Sequence, residues 1–266
     1  MTNLIAWNIR AGGGRRVERI AEQITAWGAD VVALSEFRGT PPSQWLAEAL
    51  AGTGLIHQRT TADPANAAVN ALLVASRWPL EDLSLFGAPR PRQRWLPVRV
   101  LAEEPFAVGA VHIPIFAFRG HTKYAFHRAV LRFARSWRDG PALVAGDTNT
   151  GRIGIDEESP VFSKQSDGWM VGMERAGWAD AFRRLHGDTR AYTWYSPNAG
   201  NGFRLDEAFV NQALIPRLES ARYQWAKDGA NERRDAVSDH AALLLGLTDN
   251  DGASATSSRP APGPSR

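Results

Sequence analysis

The chain of 266 residues has no cysteine. That excludes disulfides, thiolate metal sites and cysteine nucleophiles. It has no apolar run long enough to span a bilayer. Its start, MTNLIAWNIR, lacks the basic segment, apolar stretch and small-residue cleavage site of a secretory signal. Internal repeats are missing, and no helix-turn-helix, zinc finger or other base-reading module is visible. These absences lead us to expect a cytoplasmic chain without a membrane span. Lysine is scarce, with Lys123, Lys164 and Lys227 only, so the basic residues are nearly all arginine. The formal net charge is just +3, which is compatible with a polyanionic partner without demanding one. Arg90, Arg92, Arg94 and Arg99 cluster. Such a run reads either as phosphate contacts or as a loop kept soluble by charge.

What is present suits one large domain. Apolar residues make up 44% of the chain, with 10 Trp and 11 Phe, enough for a substantial core. From about Thr248 onward the composition turns to Pro, Ser, Gly and Ala without apolar periodicity. We therefore expect a catalytic domain over residues 1–247 and a disordered tail over 248–266. LIAWNIR and DVVALSE read as buried strands. Val17, Ile20, Ala21, Ile24 and Trp27 recur at helical spacing before Gly28. Ser43 is a candidate cap for a helix carrying Trp45, Leu46 and Leu50. NALLVAS, LPVRVL and FAVGAVH follow as strands, and Phe126, Val130, Phe133 and Trp137 mark one face of a second helix. After the strand in GPALVAGDTNTG come a helix around Met173–Leu185 and the strands RLDEAFVN, ARYQWA and HAALLLGL. These strands are too many and too unevenly spaced for a strand–helix barrel. Two sheets with helices outside them is the better architecture.

Six apolar segments end in, or start from, an acid, an amide or an imidazole. The residues are Asn8, Glu36, His112, the pair Asp147 and Asn149, Asp206, and the pair Asp239 and His240. Each has an ordinary explanation as a turn residue, a cap, a surface acid or a core histidine. Six together indicate a site. Asp147 and Asn149 are two apart, so an extended backbone would point both the same way.

The ordered segments WNIR, LSEFR, NALLVASRWPL, VHIP, GDTN, TWYSP, RLDEAF and SDH resemble the successive motifs of the endonuclease/exonuclease/phosphatase superfamily. The likeness runs from about Leu4 to Leu247. It implies an α/β (α+β) fold, a four-layer αββα sandwich of two mixed sheets flanked by helices. It also implies a phosphoester hydrolase using Mg²⁺ or Mn²⁺ held by Glu36 with Asn8 and Asp239. The catalytic set would be His112, Asp147, Asn149, Asp206 and His240. Within it, Asp206 fixes the His240 tautomer, Asp147 activates or positions the nucleophile, and Asn149 holds a phosphate oxygen or the water. His112 would be a phosphate ligand or general acid, where exonuclease III-like members carry tyrosine. Arg10, Arg38, Trp194 and Arg204 would be substrate contacts.

The same resemblance implies DNA, bound without regard to sequence, and 3′→5′ exonuclease action, with or without endonuclease action, by a monomer with no evident protein partner. Several features depart from it. Ser35 stands where a glutamine is usual, Asn70 where a partner carboxylate is expected, and RAGGGRR replaces the NGLRA of repair enzymes. An alternative is therefore a phosphatase or phosphodiesterase on an inositol phosphate, sphingomyelin or another small or lipid phosphoester. Its apolar loop would be HIPIFAF. A non-catalytic binding module would have lost some of these positions, and all are filled.

Overall fold

The computed structural model describes residues 1–84, 87–115, 121–226, 233 and 236–249. Two six-stranded mixed sheets stack face to face with helices on both outer faces. The first sheet contains β1 (Thr2–Asn8), β2 (Val31–Phe37), β3 (His57–Thr60), β4 (Ala71–Ser76), β13 (Leu218–Gln224) and β14 (Ala242–Leu247). Its order is β13-β14-β1-β2-β4-β3. The second contains β5 (Leu80–Asp82), β6 (Trp95–Val100), β7 (Phe106–His112), β8 (Ala142–Asp147), β9 (Trp178–Asp180) and β12 (Asp206–Asn211). Its order is β5-β6-β7-β8-β12-β9, and a two-stranded ribbon of β10 (Trp194–Tyr195) and β11 (Gly202–Phe203) stands apart. The helices are α1 (Val17–Ala26), α2 (Pro41–Gly52), α3 (His121–Ser136), α4 (Lys164–Arg175) and α5 (Ala181–His186). This is the expected αββα sandwich.

Strand alternation builds the layers. Leu4 and Ala6 of β1 face the second sheet, meeting Val108 and Ala110 of β7, Leu143 and Ala145 of β8, and Ala208 and Val210 of β12. Ile5 and Trp7 face outward onto Ile20, Ile24, Leu46 and Leu50 of α1 and α2. On the far side, Val111, Val144 and Phe209 meet Phe126, Val130 and Phe133 of α3 and Trp169, Met170 and Met173 of α4. Both faces of each central strand are buried, so these strands read as near-continuous apolar runs.

Some expectations needed revision. Ser43 is not the cap of α2. Thr40 occupies that place with prolines after it, while Ser43 is buried and donates from Oγ to the Gly12 carbonyl at 2.9 Å. The helix expected around Met173–Leu185 is two helices, α4 and α5, with β9 between them. Short strands β3, β5, β9, β10 and β11 had no clear periodic signal. Thr248 and Asp249 still engage the domain, through Arg217 and the N-terminal amine, and the rest of the expected tail lies outside the described residues.

Arg204 requires a larger correction. It has no exposed surface and cannot meet a substrate. Its guanidinium lies 2.6 Å from Asp156 and 2.6 Å from Asp180, and it donates to Tyr223 Oη at 3.2 Å. Asp156 also pairs with Arg183. A buried ion pair stripped of one partner leaves an uncompensated charge. Arg204→Ala is therefore expected to cost about 3–5 kcal/mol in urea unfolding. A raised KM at unchanged stability would instead restore Arg204 as a substrate contact.

Candidate active site

The inward alternation that builds the core also builds the site. Following Leu4 and Ala6, the next inward position on β1 is Asn8. On β7 it is His112 after Val108 and Ala110, and on β8 it is Asp147 after Leu143 and Ala145. On β12, which runs the other way, Asp206 precedes Ala208 and Val210. Each strand thus ends its apolar face with one polar side chain at the same rim. Pairing puts them side by side: Asp147 lies opposite Asp206 across an antiparallel pair and next to His112 across a parallel one. Gly146 permits this closeness, since a Cβ there would sit 2.2 Å from the Val111 carbonyl oxygen and its φ is +139°.

The two sheets are joined at the rim by Asn8, whose Nδ2 donates to Asp147 Oδ2 at 2.8 Å. Glu36 comes from a bulge, where the β2–β4 register shifts between Ser35 and Phe37, and its φ is 58°. A bulge re-aims a side chain, and here it points the carboxylate into the cleft. Glu36 Oε2 accepts from the Ala11 amide at 2.7 Å, and Oε1 lies 4.0 Å from His112 Nε2. Arg10, Ala11 and Asn149 also have positive φ (53°, 52° and 50°). That region is uncommon for arginine, alanine and glutamate, whereas asparagine enters it readily at turns.

Asn149 reaches the site by a different route from the extended pair the sequence suggested. Strand β8 stops at Asp147, and the chain turns. The Asn149 amide N–H then donates to Asp147 Oδ1 at 2.9 Å, and its Nδ2 donates to the Ile113 carbonyl at 2.8 Å. Both residues still border the same cleft.

The cleft has a volume of about 360 Å³. Its floor holds Glu36, His112, Asp147, Asn149, Asp239 and His240, and its apolar wall includes Phe162, Trp194, Phe203 and Leu205. Trp194 is half-buried, with its ring 6.3 Å from that of His240. It therefore packs on its loop and still presents a face to the cleft. Arg10 is exposed and lies 3.6 Å from Asp239. Arg38 turns instead to Asn70, donating from Nε to Oδ1 at 2.7 Å, and does not border the cleft. The arginine cluster divides: Arg94 donates to the His112 carbonyl at 3.4 Å, Arg99 pairs with Asp139, and Arg90 and Arg92 are exposed. Of HIPIFAF, Ile113 is core and Ile115 is exposed beside the cleft, while 116–118 lie outside the described residues.

Burial and charge set the protonation states. Burial pushes the Asp147 carboxyl up to about 7, with Asp206 adding to the rise and His240 and the Asn8 amide opposing it. Burial alone would lower His240, yet Asp206, Asp147 and Asp239 outweigh it and hold the imidazole up at about 9. His240 Nδ1 meets Asp206 Oδ2 at 2.9 Å. His112 goes the other way: burial, Arg94 and His240 hold it well below the usual range, so it is neutral.

Lys123 was not anticipated. It belongs to the first turn of α3, is buried, borders the cleft, and donates from Nζ to the Asn149 carbonyl at 2.6 Å. Burial lowers it to about 8, against the pull of Asp147 and Glu207. A signal was present: Lys123 falls three before Phe126 and seven before Val130, on the apolar stripe of the helix.

The donor set fits a divalent cation. Asp147, Asp206 and His240 offer ligand atoms within 4.8 Å of one another, and Asp206 Oδ1 is buried without a hydrogen-bond partner. Glu36 and Asp239 add carboxylate oxygens at the cleft surface. Oxygen-rich sets suit hard cations.

The fold is an αββα sandwich of two mixed sheets with a polar cleft at their rim. The model of the Endonuclease/Exonuclease/phosphatase family matches residues 5–240, and the chain belongs to that family. No curated protein matches it. Among solved structures it is similar to the Neisseria 3′ phosphatase NExo bound to a product DNA hairpin, at 20% identity and TM-score 0.74, over 93% of this chain and 100% of that one. An AP endonuclease from Archaeoglobus fulgidus matches at 17% identity and TM-score 0.74, over 93% and 99%. The 3′-5′ exonuclease NExo from Neisseria meningitidis matches at 20% identity and TM-score 0.74, over 92% and 99%. Among the described residues no helix is long and apolar enough to cross a membrane.

The His240 shift makes stability depend on pH. Its folded value, about 9, exceeds the ordinary 6.5, so the His240–Asp206 pair contributes fully below about pH 6.5 and loses that contribution as pH rises through 9. The difference corresponds to roughly 3 kcal/mol. Thermal melts in EDTA should show the wild type losing stability between these pH values and His240→Gln losing far less. Parallel pH profiles for the two proteins would contradict the pairing.

Proposed function

We propose that this protein is a Mg²⁺- or Mn²⁺-dependent phosphodiesterase acting on DNA, chiefly as a 3′→5′ exonuclease. The observation that carries the reading is the convergence of strand ends from both sheets on one cleft with an aromatic wall. Acids, amides and imidazoles meet there as hydrolysis of an anionic ester requires. The structural relatives support the choice of DNA, since their names describe a 3′ phosphatase with bound DNA, an AP endonuclease and a 3′-5′ exonuclease.

Each side chain has a task that its environment suits. Glu36, Asn8 and Asp239 are assigned to the cation, which when bound neutralises charge on the phosphate and the leaving oxygen. The Asp147–Asp206–His240 cluster is the tighter donor group, but Asp206 and its neighbours hold the His240 imidazole protonated, and a protonated ring has no lone pair for a metal. We therefore assign that cluster to proton and charge management. Asp147, poised near neutrality, takes the proton of the attacking water. The His240 imidazolium, held in place by Asp206, stabilises the charge that grows on the phosphate oxygens. Burial holds His112 neutral, and it is assigned as a hydrogen-bonding phosphate ligand, with donation of its N–H proton to the leaving oxygen as the alternative. Asn149 orients a phosphate oxygen or the water. Trp194 offers a face for a base or sugar, and Arg10 a contact at the rim.

Incubating an end-labelled duplex with Mg²⁺, Mn²⁺ or EDTA tests the reading. A metal-dependent ladder shortening from the 3′ end is expected, and Asp147→Asn should lower kcat by roughly 10²–10⁴-fold with little change in melting temperature. Intact DNA together with turnover of inositol phosphates or sphingomyelin would move the chain to the small-phosphoester class.

A further inference from the structure

The positive charge of the molecule is unevenly placed among its outer helices. Helix α3 carries Lys123, Arg128, Arg132 and Arg135 and no acidic residue. On the opposite outer layer, α1 has Glu18, Arg19 and Glu22, and α2 has only Glu48. Helix α4 beside α3 is balanced, and its acids Asp167 and Glu174 are both paired with Arg152. Arg128, Arg132 and Arg135 are exposed and have no ion-pair partner among the described residues. Steps of four and three residues keep them within a narrow arc of the helix, spread over about 10 Å. At about 3.4 Å of rise per nucleotide, that span covers about three phosphates of one strand. The same helix begins at the cleft, where Lys123 forms part of the wall.

We propose that the outer face of α3 is a second nucleic-acid contact, an arginine ridge that holds the phosphate backbone of a strand beyond the cleft. This rests on the reading of the cleft as a DNA phosphodiesterase site and deepens it: the substrate is a polynucleotide, not a small phosphoester. Guanidinium groups without carboxylate partners are available to phosphates, and they contact a backbone without reading sequence. Nothing on α3 repels a polyanion. A substrate confined to the cleft would gain nothing from the ridge, whereas a long one gains affinity by releasing counterions.

The test combines Arg128→Gln, Arg132→Gln and Arg135→Gln in one protein. Glutamine keeps the helix propensity, and none of these residues borders the cleft. Two measurements are made: turnover of a nucleoside p-nitrophenyl phosphodiester, which fills only the cleft, and binding in EDTA of a duplex of about 30 base pairs across a salt series. The expected result is unchanged turnover of the small diester. Long-duplex affinity should fall about tenfold or more, and the slope of log K against log salt should shrink by about 3. Equal affinity and slope in the variant and the wild type would overturn the ridge while leaving the cleft assignment intact. So would failure of the wild type to bind the duplex at any salt concentration. Ridge-dependent binding by a wild type that cleaves no DNA would uphold the ridge and overturn the hydrolytic reading.

Discussion

Two carboxylates, Asp147 and Asp206, face each other on adjacent antiparallel strands, with about 1% of each exposed to water. Isolated burial of two such charges would be prohibitive, so the surroundings have to answer for both. His240 answers for Asp206 with a direct ion pair. Asp147 receives the Asn8 amide from the other sheet and the Asn149 backbone N–H from its own turn, and it still sits high, near neutrality. The stacking of the sheets is thereby tied to the protonation state of the site. Asn8 can reach Asp147 only when the two inner faces meet in register.

Behind the rim lies a second buried polar layer that keeps the first in place. On β12, Glu207 points away from the inter-sheet face and bonds to Thr148, the residue between Asp147 and Asn149. Burial raises the Glu207 carboxyl well above the usual range. Thr193 Oγ1 accepts from the Leu205 and Asp206 amides, and Tyr223 donates to the Asp206 carbonyl. Arg204, between Leu205 and the ribbon strand, ties this stretch to Asp156 and Asp180. Placing two buried carboxylates at strand ends needs backbone that does not fray. The buried pairs of Arg204 with Asp156 and Asp180 supply that rigidity, because moving either strand end would strand a buried charge.

The polar rim and the apolar wall of the cleft come from different parts of the chain. The first sheet contributes Asn8 and Glu36, with Asp239 and His240 from the segment leading into β14, and the second contributes His112, Asp147 and Asp206, with Asn149 from the turn after β8. The apolar wall comes from neither sheet, because Phe162 belongs to the segment before α4 and Trp194 and Phe203 to the separate ribbon.

Much of this was written locally. The β1, β7, β8 and β12 segments each carry an inward apolar face that ends at one polar residue. Because alternation has a fixed period, that break marks the rim of the core whatever the strand pairs with. Two sheets, outer helices and the residues of the rim were legible for this reason. Contacts between distant segments were not. That Arg204 turns inward depends on Asp156 and Asp180, some 48 and 24 residues away. That Glu36 enters the cleft depends on a bulge against β4, and that Asn149 joins Asp147 depends on a turn the extended pattern did not foresee. The sequence by itself determined which residues end each apolar face. Tertiary structure alone decided which charges are paired, how far each is removed from water, and so which side chains hold protons at neutral pH.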